Sequence, residues 1–228
     1  MTLRNSTLAI AAACATVAAA PQAFAQASFQ NSFAAFQGLS TTTLRADFEG
    51  LHTEGGIADP YTEGGVTFSD PKNLYVALPG GAAAVADFDA PVTSNVLTVS
   101  GNEDITMTFA GPAPTAIGFT SLTNRFNAPV VTVFDTSNTL IGTYVLTQGP
   151  SSVGFVGITS SVGIGSVHWL ADRGGIKDTA IDNIYVGVTA VPEPHTYALM
   201  LAGLGVMGAL ARRRATKHSA PRPPSISA

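Results

Sequence analysis

The stretch Ile105-Thr106-Met107-Thr108-Phe109 alternates apolar and hydroxyl side chains at every step. A period of two belongs to a half-buried strand, because successive side chains leave opposite faces. From Ala46 to Ala190 the chain offers this texture in short pieces. They are Val66–Phe68, Leu74–Leu78, Val85–Phe88, Asn95–Val99, Ala116–Thr120, Val130–Phe134, Leu140–Leu146, Val153–Ile158, Ile164–Leu170 and Ala180–Val188, cut apart by Gly, Pro, Asn and Asp. Asp135-Thr136-Ser137-Asn138 reads as a hairpin turn, since Asn and Asp tolerate turn dihedrals. Nothing between these runs has the amphipathic helical period that a parallel α/β sheet requires. The expected fold is therefore all-β: an antiparallel β-sandwich of jelly-roll type over residues 46–190.

Composition agrees. Only 11% of residues are charged, whereas Gly (23) and Pro (14) are plentiful, which suits a turn-rich domain better than a helical one. Charge is unevenly distributed. Between Gln26 and Ala190 there are 5 basic residues against 14 acids, a formal −9. After Ala190 the only acid is Glu193, against Arg212, Arg213, Arg214, Lys217 and Arg222. An acidic body excludes nucleic acid as partner, because phosphate binding needs a basic patch on the folded surface. The basic tail lies beside an apolar run and points to a membrane surface.

Residues 1–25 have the anatomy of a secretory signal: Arg4, an apolar run from Leu8 to Ala20, Pro21, then Ala23-Phe24-Ala25. Cleavage is expected after Ala25, leaving Gln26 as the mature N-terminus. The sole cysteine, Cys14, lies within this signal, so the exported chain has neither disulfide nor thiol chemistry. Residues 26–45 are low in charge, with Phe29, Phe33 and Phe36 three to four apart. They read as a flexible leader or a short helix.

Near the C-terminus, Val191-Pro192-Glu193-Pro194 precedes sixteen uncharged residues, Thr196–Ala211, and then Arg212-Arg213-Arg214. Sixteen helical residues span roughly 24 Å, short of a hydrocarbon core of about 30 Å, but Tyr197 and snorkelling arginines extend the reach. The arginines place the tail in the cytoplasm and the body outside. Residues 215–228 form a basic tail. The three parts in this order resemble the PEP-CTERM sorting signal of Gram-negative bacteria. The resemblance implies that Pro192, Glu193 and Pro194, with Arg212, Arg213 and Arg214, are recognised by an exosortase. It also implies export, transient anchoring in the inner membrane, and a mature form at the cell surface or outside the cell.

The runs Ala116-Ile117-Gly118-Phe119, Val131–Asp135, Gly154–Ile158 and Ile181-Asp182-Asn183-Ile184 are similar to jelly-roll ectodomains of PEP-CTERM proteins, and more loosely to carbohydrate-binding modules. That likeness implies an extracellular polysaccharide as partner. Catalytic signatures are missing: outside signal and tail the only histidines are His52 and His168, with no HExxH, GxSxG or phosphate loop. A non-catalytic protein is expected; the alternative is a secreted polysaccharide hydrolase using a carboxylate pair. Two acids fall near the ends of the sandwich, Glu49 in ADFEGL and Asp182 in IDNIYVG. In a jelly roll the first and last strands adjoin, so these carboxylates either share a structural Ca²⁺, as the module likeness implies, or remain a surface acid and a turn cap. Trp169 is either a sugar-stacking platform or core. Arg125, on an expected loop, is either a sugar contact or a solvated charge.

Overall fold

Period-two alternation is realised as antiparallel pairing in a computed structural model that describes residues 26–82, 88, 91–99, 104–123, 129–146, 152–170, 179–190 and 200–208. The chain runs β1 (Ala27–Gln30), α1 (Phe33–Leu39), β2 (Ser40–Ala46), β3 (Gly55–Gly56), β4 (Tyr61–Glu63), β5 (Val66–Ser69) and β6 (Leu74–Ala77). It continues through β7 (Val96–Val99), β8 (Asp104–Phe109), β9 (Ala116–Leu122), β10 (Val130–Asp135), β11 (Leu140–Val145), β12 (Val153–Ser160), β13 (Ile164–Leu170) and β14 (Ala180–Thr189). One sheet has the order β1-β12-β9-β14-β7-β6-β3, with β2 also paired to β14; the other has β11-β10-β13-β8-β5-β4. From β11 onward each successive strand changes sheet, the wrapping that characterises a jelly roll.

The alternation read from the sequence holds in detail. In β8 Ile105 and Met107 are fully buried while Thr106 and Thr108 stay accessible. The inner faces of both sheets supply one core, with Ile117, Phe119, Val156, Ile158 and Ile181 from the first and Met107, Val131, Val133, Val167 and Trp169 from the second. Phe119 and Trp169 meet edge to face across the layers, centroids 5.5 Å apart, a geometry that the ring quadrupoles favour. The expected hairpin joins β10 and β11. Asp135 Oδ1 accepts from the N–H groups of Ser137 (2.8 Å) and Thr139 (2.9 Å), and Asn138 takes a left-handed φ of 60°. Of the expected strand Val85–Phe88, only Phe88 is described, and it lies outside any strand.

Residues 26–45 depart from the expectation of a flexible leader, because they belong to the sandwich. β1 pairs with β12 along Ala27–Gln30, and β2 pairs with β14 along Ser40–Ala46. Between them Ser32 caps α1 by accepting from the Ala35 N–H (3.1 Å). The helix lies over β12, on the face turned away from the core. It is held there by a socket. Gly118 and Gly157 are direct partners across β9 and β12, and the fully buried Phe36 ring fills the space that their missing side chains leave. A Cβ on Gly118 would lie 2.7 Å from Phe36, and one on Gly157 2.8 Å from it, closer than carbon atoms pack.

Candidate functional site

One turn before Phe36, the same helix presents Phe33 to a groove on the outer face of the first sheet. The groove has a volume of about 500 Å³ and is lined by Asn31, Phe33, Thr120, Val153, Gly154, Phe155, Asn183 and Tyr185. Phe33 stands 4.8 Å from the Tyr185 ring and 5.3 Å from the Phe155 ring, centroid to centroid. All three rings are half-buried, so each combines a packed side with an accessible one. Phe155 and Thr120 share this face because they alternate with inward-facing Val156 and Phe119. Tyr185 joins them because it pairs with Gly118.

The groove is coupled to a buried acid beside it, Asp182, the register partner of Thr120. The register of β14 against β9 shifts between Asp182 and Tyr185, and Asn183 takes a left-handed φ of 50° there, a conformation that asparagine accepts more readily than most residues. Asp182 is only 1% exposed. Its Oδ1 accepts from the Asn183 N–H (2.6 Å), and its Oδ2 from Asn183 Nδ2 (2.7 Å) and Ser94 Oγ (2.6 Å). The amide of Asn183 is thereby fixed at the groove. Burial pushes the Asp182 carboxyl up to about 6, and the charges of Glu49 and Asp47 add to the rise, against the opposing effect of the Ser94 and Asn183 bonds.

The structure therefore brings the two sequence-selected acids to one junction, where β2 and β7 both border β14. Glu49 Oε1 accepts from the Asn95 N–H (3.0 Å), while Asn95 Nδ2 donates to the carbonyls of Phe48 (3.0 Å) and Leu51 (2.8 Å). Around these carboxylates the partners are N–H and O–H donors, whereas a calcium ion would require further oxygen ligands. Among the described residues no group of three or more His, Cys, Asp or Glu side chains is arranged to hold a metal ion.

Trp169 is not a sugar platform. It is fully buried against Phe119, and its Nε1 donates to Thr179 Oγ1 (3.1 Å), so neither ring face is available to a ligand. The position within β13 explains this, since Trp169 follows inward-facing Val167 at a spacing of two. Arg125 lies outside the described residues, as do Ala25, Pro192, Glu193, Pro194, Arg212, Arg213 and Arg214. Sequence reasoning missed the groove altogether. Its only legible traces were the phenylalanine spacing at 29, 33 and 36, and a tyrosine three residues beyond Asp182.

β14 ends at Thr189, and the next residue, Ala190, donates its N–H to the Leu39 carbonyl (2.8 Å). Residues 200–208 are helical, with Met200, Leu201, Leu204, Val206 and Met207 each more than half exposed. No helix among the described residues is long and apolar enough to cross a membrane. Residues 190–215 match the PEP-CTERM protein-sorting motif. The chain thus carries this sorting signal, starting where the sandwich stops. No curated protein matches the chain. Among solved structures it is similar to the family 11 carbohydrate-binding module of the cellulosomal cellulase Lic26A-Cel5E of Clostridium thermocellum. That similarity is at 14% identity, over 68% of this chain and 99% of that one, with a TM-score of 0.36. The sandwich itself is defined by the strand pairings given above.

Proposed function

We propose that this chain is an exported protein, processed by an exosortase and delivered to the cell surface or beyond it, where its β-sandwich acts as a non-catalytic module associated with extracellular polysaccharide. The observation that carries the reading is the sorting motif at residues 190–215. It follows the last strand directly, so processing near Pro192-Glu193-Pro194 would release the sandwich whole. The secretory anatomy of residues 1–25 supplies the entry to the same route. Confinement of the only cysteine to that segment suits a folded part that does not depend on redox conditions.

A hydrolytic role has less support. Retaining and inverting glycosidases both need two carboxyl groups facing one cleft. None of the described residues that line the groove is a carboxylic acid, and Glu49 and Asp182 are engaged by backbone, hydroxyl and amide donors, with Asp182 buried.

Targeting is tested by replacing Pro192, Glu193 and Pro194 together with alanine. The triple variant should accumulate as full-length protein in the inner membrane fraction. Normal maturation and release of that variant would overturn the sorting part of the reading.

A further inference from the structure

We propose that the groove formed by α1, β9, β12 and β14 is a binding site for an uncharged oligosaccharide segment. This rests on the reading of the sandwich as a polysaccharide-associated module and gives that module a location and a ligand class. Four observations carry it.

The first is shape: at about 500 Å³ the groove falls within the ~300–1,000 Å³ typical of small-molecule sites. The second is the pairing of surfaces. A pyranose ring has C–H-rich faces and a rim of hydroxyls, so it needs ring faces for the one and neutral donors and acceptors for the other. Phe33, Phe155 and Tyr185 supply the rings, and Asn31, Thr120 and Asn183 supply the amides and hydroxyl. A purely apolar ligand would satisfy only half of this lining and would bury the amides without partners.

The third observation is charge. None of the eight lining residues is an Asp, Glu, His, Lys or Arg. Residues 26–190 carry a formal −9. An anionic polysaccharide would find no cation among the described residues that line the groove, and a repulsive field from the acidic body around it. The fourth is that a key polar group is held in place before any ligand arrives. Asn183 receives its conformation from the β14 bulge and its amide orientation from Asp182, while Phe33 is fixed by the capped helix and the seated Phe36 one turn away. A site ordered in advance loses less entropy on binding.

The test uses the exported protein in native affinity gels containing dextran, xylan, mixed-linkage β-glucan or alginate, followed by titration calorimetry with oligosaccharides of whichever neutral polymer retards it. At least one neutral polymer should retard the protein, and alginate should not. Tyr185→Ala should weaken binding about tenfold, as expected for loss of one stacked ring, with Asn31→Ala weakening it in the same direction. Asn31 is exposed and outside any strand, so this variant keeps the test valid even if the ring replacement disturbs folding. If a neutral polymer binds and both variants retain wild-type affinity, the groove is not the site, although the polysaccharide reading survives. If none of the four polymers retards the protein, both the site and the polysaccharide reading fall, while targeting is untouched. Preferential retardation by alginate would overturn the assignment of an uncharged ligand.

Discussion

At Asp182, one carboxylate receives Ser94 from the segment before β7, Asn183 from its own strand, and the field of Glu49 and Asp47 from the loop after β2. Water would solvate the ionised form better than this buried position does, so the proton is held up to about pH 6, compared with 3.8 for the ordinary side chain. The consequence for stability has a definite sign. Between those values the native state binds a proton that the unfolded chain has released, so this group's contribution is greatest below about pH 4 and declines as pH rises through about 6. Asp182→Asn should therefore flatten the dependence of melting temperature on pH between 4 and 7. Parallel melting curves for both proteins across that window would refute the assignment, whatever their absolute offset. The residue scale also shows where sequence signals are ambiguous. The adjacency of Glu49 and Asp182 was legible from their places near the first and last strands, but the identity of their partners was not. Ser94 and Asn95 directly precede β7, in a segment distant in sequence from both acids, and nothing local to it marks which carboxylates it meets.

Among the elements, α1 is the least predictable and the most consequential for the groove. Its seven residues are too few for a stable isolated helix, and tertiary packing supplies what propensity does not. Phe36 is the anchor, and the Gly118–Gly157 pair is its socket. Gly157→Ala should destabilise the protein by about 1–3 kcal/mol, the usual penalty for overpacking. Phe36→Ala should cost about 3–5 kcal/mol through loss of a buried ring. In the double variant the new methyl occupies part of the vacated space, so the two losses should sum to clearly more than the measured total. Denaturant unfolding of the four proteins measures this directly; strict additivity would show that helix and socket are not coupled. By contrast, β13 was legible from Ile164 to Leu170, because Val167 to Leu170 alternate and turn residues bound the run, although an irregularity against β10 interrupts the alternation between Ile164 and Ser166. The hairpin after β10 was legible for a similar reason, since Asp135 and Asn138 carry its turn chemistry locally.

For the molecule as a whole, the issue is how an all-β domain with no cysteine outside residues 1–25 keeps its chain ends together. It does so by hydrogen bonding. β2 and β14, early and last in the sandwich, pair from Ser40–Thr189 to Ala46–Ile184. The ladder continues into the Asn95 clamp and into the bond from Ala190 to Leu39. With the Asp182 oxygens already accepting from protein donors, this closure is expected to need no cation. Neither EDTA nor a reductant should then shift the melting temperature of the exported protein. A rise of several degrees on adding calcium, abolished in Asp182→Asn, would instead establish the Ca²⁺ site first expected at Glu49 and Asp182, since a ligand specific to the native state stabilises by mass action.

The sequence by itself determined the properties written in local pattern: strands from alternation, the hairpin from its turn residues, and the sorting motif from three features in fixed order. Each depends on residues close together in the chain, so no folded geometry is needed to read it. Only the tertiary structure decided the rest. It placed residues 26–45 inside the sandwich, put Trp169 in the core, turned Glu49 and Asp182 toward protein donors, and assembled the groove. Those outcomes depend on contacts between distant segments: Phe36 with Gly118 and Gly157, Phe33 with Phe155 and Tyr185, Ser94 with Asp182. Such contacts follow from strand order and register, which alternation alone does not encode, because many pairings of the same strands would bury the same apolar faces.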